Sequence, residues 1–264
     1  MDRRVCNRFN NFDVWLTLKL HLNKVDPAGG ARSEMKNDAG GTAKKIVKWG
    51  RKWGTWKSRF KRDVEKAWTG KFWLRSPRSF ALYDFTVKGK SYRPNAWCRF
   101  RLELVGTAGA AHHSIDCVRL DASETFFRSH SRLYDHLDTK PKPQAHGSDK
   151  NTHVHEVGHL LGLGHIGQLV HPLSLEGLTC SAAALLNPNE GTNHRLCYGT
   201  ELEFARDVMG SGSELHVHHA KPWQEAIRSV VGAIGTWDAK MTRHYPRSQD
   251  DILRNVYPTT RPTR

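Results

Sequence analysis

The stretch Asn151-Thr152-His153-Val154-His155-Glu156-Val157-Gly158-His159-Leu160-Leu161-Gly162-Leu163-Gly164-His165 decides how this chain is read. Asn151 or Thr152 can cap the start of a helix. On that helix His155 and His159 stand four apart, so both imidazoles project from one face. Val154, Val157, Leu160 and Leu161 supply the apolar side. Two imidazole nitrogens converging in this way are half of a tetrahedral zinc site. Glu156 sits beside the first histidine, where it cannot easily bind the same ion but can reach a water held by it. A straight helix would carry the next histidine out of range. Gly162 allows the sharp, positive-φ turn that brings His165 back. Three neutral imidazoles leave an ion its full charge and one open position, the arrangement of a catalytic site. His153, two residues before the first ligand, points to another face and is not counted with them.

The string resembles H-E-x-x-H-x-x-G-x-x-H, the signature of the metzincin superfamily of zinc endopeptidases. The resemblance implies one catalytic zinc held by His155, His159 and His165, with Glu156 as general base and protein or peptide as substrate. It also implies a Met-turn, for which Asp207-Val208-Met209-Gly210-Ser211-Gly212 is the candidate and Met209 the methionine. The implied fold is α+β and zincin-like. A mixed twisted sheet with a backing helix and the active-site helix lies above the cleft, and an irregular or helical part lies below. That makes residues 1–264 one catalytic domain: an upper part over 10–162, a lower part over 163–256 and a tail over 257–264. Substrate would add as a strand to a sheet edge drawn from about Thr125 to Leu137. Two positions depart from familiar subfamily patterns: Ile166 follows the third histidine, and Ser211 stands where some subfamilies carry a tyrosine. The subfamily therefore stays open, as does calcium. His216, His218, His219, Tyr198 and Tyr245 are downstream candidates for assisting the oxyanion.

Outward from the motif, Val14 to Leu22 alternates as a strand should. Asp26-Pro27-Ala28-Gly29-Gly30 ends it. Ile46, Trp49, Trp53, Trp56, Phe60, Val64 and Trp68 form one helical stripe, predicting a long helix over about 42–68 with a Trp-rich core face. Phe80 to Val87, Ala96 to Val105 and Ser114 to Leu120 read as strands, and Asp121 to His146 as irregular. Pro222 to Val231 reads as a helix with proline in its first turn.

The chain has 264 residues and a net charge of +15. Between Ala31 and Val105 there are 20 Lys and Arg against 6 Asp and Glu. That region could attract an acidic partner, yet no nucleic-acid-binding signature accompanies the charge. A rival reading is a basic module, for nucleic acid or an acidic partner, that retains a zinc site; another is a peptidase-type toxin or effector. No apolar run is long enough to cross a bilayer. No classical signal peptide is visible at Met1-Asp2-Arg3-Arg4-Val5-Cys6-Asn7, so a secretory signal is expected to be either absent or already trimmed, and export by other machinery stays open. Localisation is left open. The five cysteines are Cys6, Cys98, Cys117, Cys180 and Cys197, with no C-x-x-C pair. Cys98 with Cys117, and Cys180 with Cys197, could each be a disulfide or two buried thiols.

Overall fold

Phe12–Val25 forms one long strand, β1, whose side chains alternate. Leu18, Leu20 and Leu22 are buried, while Lys19, His21 and Asn23 reach the other face. The computed structural model describes residues 12–37, 42–77, 79–80, 85–87, 90–92, 95–127, 129–145, 147–169, 197–198, 202–232 and 235–241. After β1 come β2 (Arg32–Met35), β3 (Lys44–Val47), α1 (Lys52–Trp68), β4 (Phe72–Arg75), β5 (Phe85–Val87), β6 (Lys90–Tyr92) and β7 (Asn95–Leu104). Then follow β8 (His113–Val118), β9 (Leu133–Asp135), β10 (Lys142–Pro143), β11 (Asp149–Lys150) and α2 (Thr152–Leu160). The helix Lys221–Val231 and β12 (Asp238–Met241) come last among the described elements.

The fold is α+β. One six-stranded mixed sheet has the order β12-β4-β7-β1-β8-β9, and three two-stranded ribbons pair β2 with β3, β5 with β6 and β10 with β11. By compactness the chain divides into two units, one of residues 1–17, 68–101 and 216–264, the other of 18–67 and 102–215.

In the second unit β1 runs parallel to β8, and β8 parallel to β9. His21 Nδ1 lies 2.9 Å from Ser114 Oγ, and Asn23 donates to Asp116 at 2.8 Å, which ties the polar face across the strands. Helix α1 buries Trp56, Phe60 and Val64. Its Phe60 ring meets Tyr134 of β9 at 5.6 Å and His153 of α2 at 5.8 Å. Truncating such a ring typically costs about 3–5 kcal/mol. At the far end of α1, Glu65 accepts from the Leu102 N–H at 2.9 Å, which fixes the helix to β7. A smaller core gathers Ile46, Val118, Leu120, Phe127 and Leu133 under the β2–β3 ribbon.

The helix expected from about residue 42 begins only at Lys52. Ile46 sits instead on β3, opposite Ser33. The stripe is continuous in spacing, but Gly50 turns at φ 54 and separates strand from helix. Trp49 lies in that turn and donates its indole N–H to the Cys117 carbonyl at 2.9 Å. In the first unit, β4 and β12 were not legible as strands; β4 pairs antiparallel with both β7 and β12. Trp223, on the helix Lys221–Val231, packs on Phe72 and donates to the Arg99 carbonyl at 2.8 Å.

Cys98 and Cys117 are free buried thiols, so the pairing considered for them is not made. Burial pushes both thiols well above their usual range. Cys197 is disulfide-bonded; Cys180, Cys6, Tyr245 and the tail 257–264 lie outside the described residues. Among the described residues no helix is long and apolar enough to cross a membrane.

Candidate metal centre

The site is built on α2 within the second unit. Asn151 precedes the helix without a side-chain capping bond; its carbonyl accepts instead from the Val154 and His155 N–H groups at 3.0 and 3.1 Å. The helix is buried from Thr152 to Gly158. Its orientation is fixed by the loop before it. The Asp138 carboxylate accepts from Asp135 N at 2.8 Å and from Lys142 Nζ at 3.0 Å, and it also meets Ser129 Oγ. The Asp138 carbonyl accepts from His153 Nδ1 at 2.7 Å. His153 is thereby committed to the loop, away from the other histidines.

Helix α2 ends in a Schellman turn. Leu163 N–H returns to the Gly158 carbonyl at 3.0 Å and Gly162 N–H to that of His159 at 2.9 Å. Gly162 takes φ 85, as its place in the motif predicts. The turn also does chemistry, because the Leu163 carbonyl accepts from His159 Nδ1 at 2.8 Å. His155 Nδ1 donates in the same way to the Val208 carbonyl at 2.7 Å.

A carbonyl can only accept, so both Nδ1 atoms carry the proton and both Nε2 atoms present bare lone pairs. Those lone pairs meet. His159 Nε2 lies 3.1 Å from His155 Nε2 and 3.1 Å from His165 Nε2. Two nitrogens about 2.0–2.1 Å from one tetrahedral ion stand about 3.3 Å apart, so the spacing suits a single metal ion. Without a cation the bare nitrogens of His155 and His159 would repel. A second proton on either ring is disfavoured, since burial holds His155 well below the usual imidazole value and lowers His159 as well. The donor set therefore fits a metal ion, and His155, His159 and His165 together could hold one.

The segment named for its methionine lies against this cluster. Val208 supplies the carbonyl for His155, and the Met209 carbonyl accepts from Ile166 N–H at 3.1 Å. Met209 is fully buried. The turn is wound around Asp207, whose carboxylate accepts from Met209 N–H at 2.7 Å and whose carbonyl accepts from Gly210 and Gly212 N–H at 2.9 and 3.0 Å. A Cβ at residue 212 would lie 2.0 Å from the Arg206 carbonyl oxygen, and one at 210 would lie 2.2 Å from that of Phe204. Only glycine fits either position.

Glu156 is 7% exposed. Burial raises its carboxyl to about 8; Asp138 adds to the rise, and Lys150 and Lys142 oppose it. Ser211 has no part in the cluster through its backbone N–H, which bonds Ala205 at 3.1 Å. The Tyr198 ring lies 4.1 Å from the His165 ring and nearly parallel to the His155 ring at 6.0 Å. His216, His218 and His219 belong to the other unit.

The edge expected over 125–137 exists but is already engaged. Strand β9 ends the sheet, and Asp116 N–H bonds the Arg132 carbonyl at 2.8 Å, which turns the backbone groups of Leu133 and Asp135 away from β8. Leu133 exchanges both bonds with His130, at 3.1 and 3.2 Å, and Asp135 N–H is held by Asp138. These outward groups thus have partners within the chain, so Leu133–Asp135 does not offer the free edge a docking peptide needs.

Sequence reasoning missed Lys150. Its ammonium stands over the Tyr198 ring, 5.1 Å from the centroid. Nothing in the spacing of the motif marks it. Compared with known proteins, the chain matches no family model, no curated protein and no solved structure.

Proposed function

We propose that this protein is a zinc-dependent endopeptidase with a zincin-like arrangement of sheet, backing helix α1 and active-site helix α2. The observation that carries the reading is the convergence of three Nε2 atoms within one buried cluster, with the Nδ1 atoms of His155 and His159 tied to carbonyls. Zinc suits three imidazoles, and when bound it supplies a water with a pKa near about 7 and polarises a carbonyl. The remaining work falls to the chain. Glu156, one residue from the first ligand, takes the water proton as its oxygen adds to the peptide carbon. It then delivers that proton to the departing amine nitrogen as the C–N bond breaks. The Val208 and Leu163 carbonyls fix the tautomers and orientation of two ligands, as outer-shell partners do. Burial of the helix and the Met209 turn holds this constellation rigid.

The test is digestion of denatured casein by the zinc-loaded chain, wild type beside Glu156→Ala. Cleavage that a chelator stops, and that Glu156→Ala abolishes while keeping one zinc per chain, is the expected result. Full activity in Glu156→Ala would refute the role given to the carboxylate.

A further inference from the structure

We propose that Lys150, seated on Tyr198, is a receptor for a carboxylate on the substrate, so that the site takes peptides with an acidic side chain or a free C-terminus close to the scissile bond. The inference rests on the peptidase reading for the word scissile, but not for the binding itself.

A lysine is a costly neighbour for a metal site. The Tyr198 ring lies 4.1 Å from the His165 ring, and the Lys150 ammonium lies 5.1 Å from the Tyr198 ring, so ammonium and His165 centroid are at most 9.2 Å apart (5.1 plus 4.1). Repulsion between this ammonium and a divalent ion weakens metal binding unless an anion stands between them. Among the described residues Lys150 makes no ion pair. Its cross-strand partner on the β10–β11 ribbon is Lys142, another cation, and that one is neutralised by Asp138 at 3.0 Å. Glu156 adjoins the first ligand in the sequence, and in the proposed proton transfer its carboxylate is committed to the water rather than to Lys150.

Geometry also limits what anion a substrate could bring to Lys150. The aromatic ring under the ammonium favours a cation held in place, ready to meet a ligand. An extended peptide advances about 3.3–3.6 Å per residue, so a span of at most 9.2 Å is crossed within about three residues. The carboxylate therefore belongs to a residue within about three of the bond, either as an Asp or Glu side chain or as the chain terminus. With the β9 edge already engaged, this charged contact is a means of fixing the peptide that does not need a free strand.

The experiment uses the full zinc-loaded chain as wild type, Lys150→Met and Lys150→Arg, each also carrying Glu156→Gln so that binding is read without turnover. Fluorescent peptides carry Glu or Gln at each of three positions on either side of a central bond, with a free or amidated C-terminus; the two series separate side-chain from terminal carboxylates. Anisotropy should show the acidic form of one peptide pair bound about fivefold to tenfold tighter by wild type and Lys150→Arg, with the difference lost in Lys150→Met. In a parallel zinc titration without peptide, Lys150→Met should bind zinc about threefold to tenfold tighter, because a repulsive charge is gone. Equal binding of acidic and neutral peptides by wild type would overturn the proposal. So would an acid preference that survives Lys150→Met, or zinc affinity unchanged by it. Intact acid-selective binding in a chain whose Glu156 form cleaves nothing would sink the peptidase reading and leave this one standing.

Discussion

Replacing Gly162 by alanine isolates what the turn after α2 contributes. The residue takes φ 85, and a Cβ built there meets no atom within 4 Å. Steric overlap therefore adds nothing, and the cost is the left-handed backbone alone, about 1–2 kcal/mol for an L-residue. At about 2–4 °C per kcal/mol for a chain of this size, melting should fall by about 2–8 °C. The same turn holds His159 through the Leu163 carbonyl and delivers His165 to the cluster. Strain relieved by opening the turn is thus relieved at the expense of the metal, and zinc affinity should fall by up to about tenfold per 1.4 kcal/mol. Asparagine tolerates this conformation better and should recover part of both losses. Thermal melts of loaded and chelator-stripped protein, with competitive zinc titration, read the two effects. An alanine variant with unchanged melting and zinc affinity, or an asparagine variant worse than alanine, would refute the reasoning.

Gly212→Ala should behave quite differently. Its Cβ would stand 2.0 Å from a backbone oxygen, so the turn carrying Val208 and Met209 cannot form; circular dichroism should show loss of the native fold rather than a modest shift. For acid sensitivity, His136 is informative. Burial, with Lys140, Arg119 and Lys52 nearby, lowers it from 6.5 to about 4, and its Nδ1 accepts from Leu120 N–H at 3.1 Å. The folded state thus favours the neutral ring. Its contribution is present above pH 6.5 and is lost as pH falls towards 4. Urea melts of the stripped protein should therefore show a shallower acid decline in His136→Gln than in wild type. Lastly, Cys98 and Cys117 are buried thiols held well above their usual range, so peptide mapping after iodoacetamide treatment should find both unmodified in the native chain and labelled once it is unfolded.

Much of this site was legible because its determinants are local. Two histidines four apart need only a helix, and Gly162 needs only a turn that glycine permits. Strand β1 was equally plain, since Leu18, Leu20 and Leu22 alternate with polar residues. The start of α1 was not, because a stripe that fits a helical period also fits a strand followed by a turn, and Gly50 decides between them only in three dimensions. Strands β4 and β12 are four residues each, too short for periodicity to separate them from loop. The engaged β9 edge depends on Asp138, three residues beyond it, folding back onto Asp135 N–H. The carbonyls of Val208 and Leu163, which set the histidine tautomers, are backbone atoms and leave no mark in a sequence. Lys150 escapes for another reason: the ring it sits on, Tyr198, is 48 residues away in the sequence.

The central claim is one zinc on three imidazoles. Zinc K-edge X-ray absorption of the chain loaded with one equivalent tests it directly. The expected fit is three imidazole nitrogens at about 2.0–2.1 Å and one further oxygen, with one imidazole lost in His165→Ala. A sulfur scatterer near about 2.3 Å, or a spectrum that His165→Ala leaves unchanged, would contradict it.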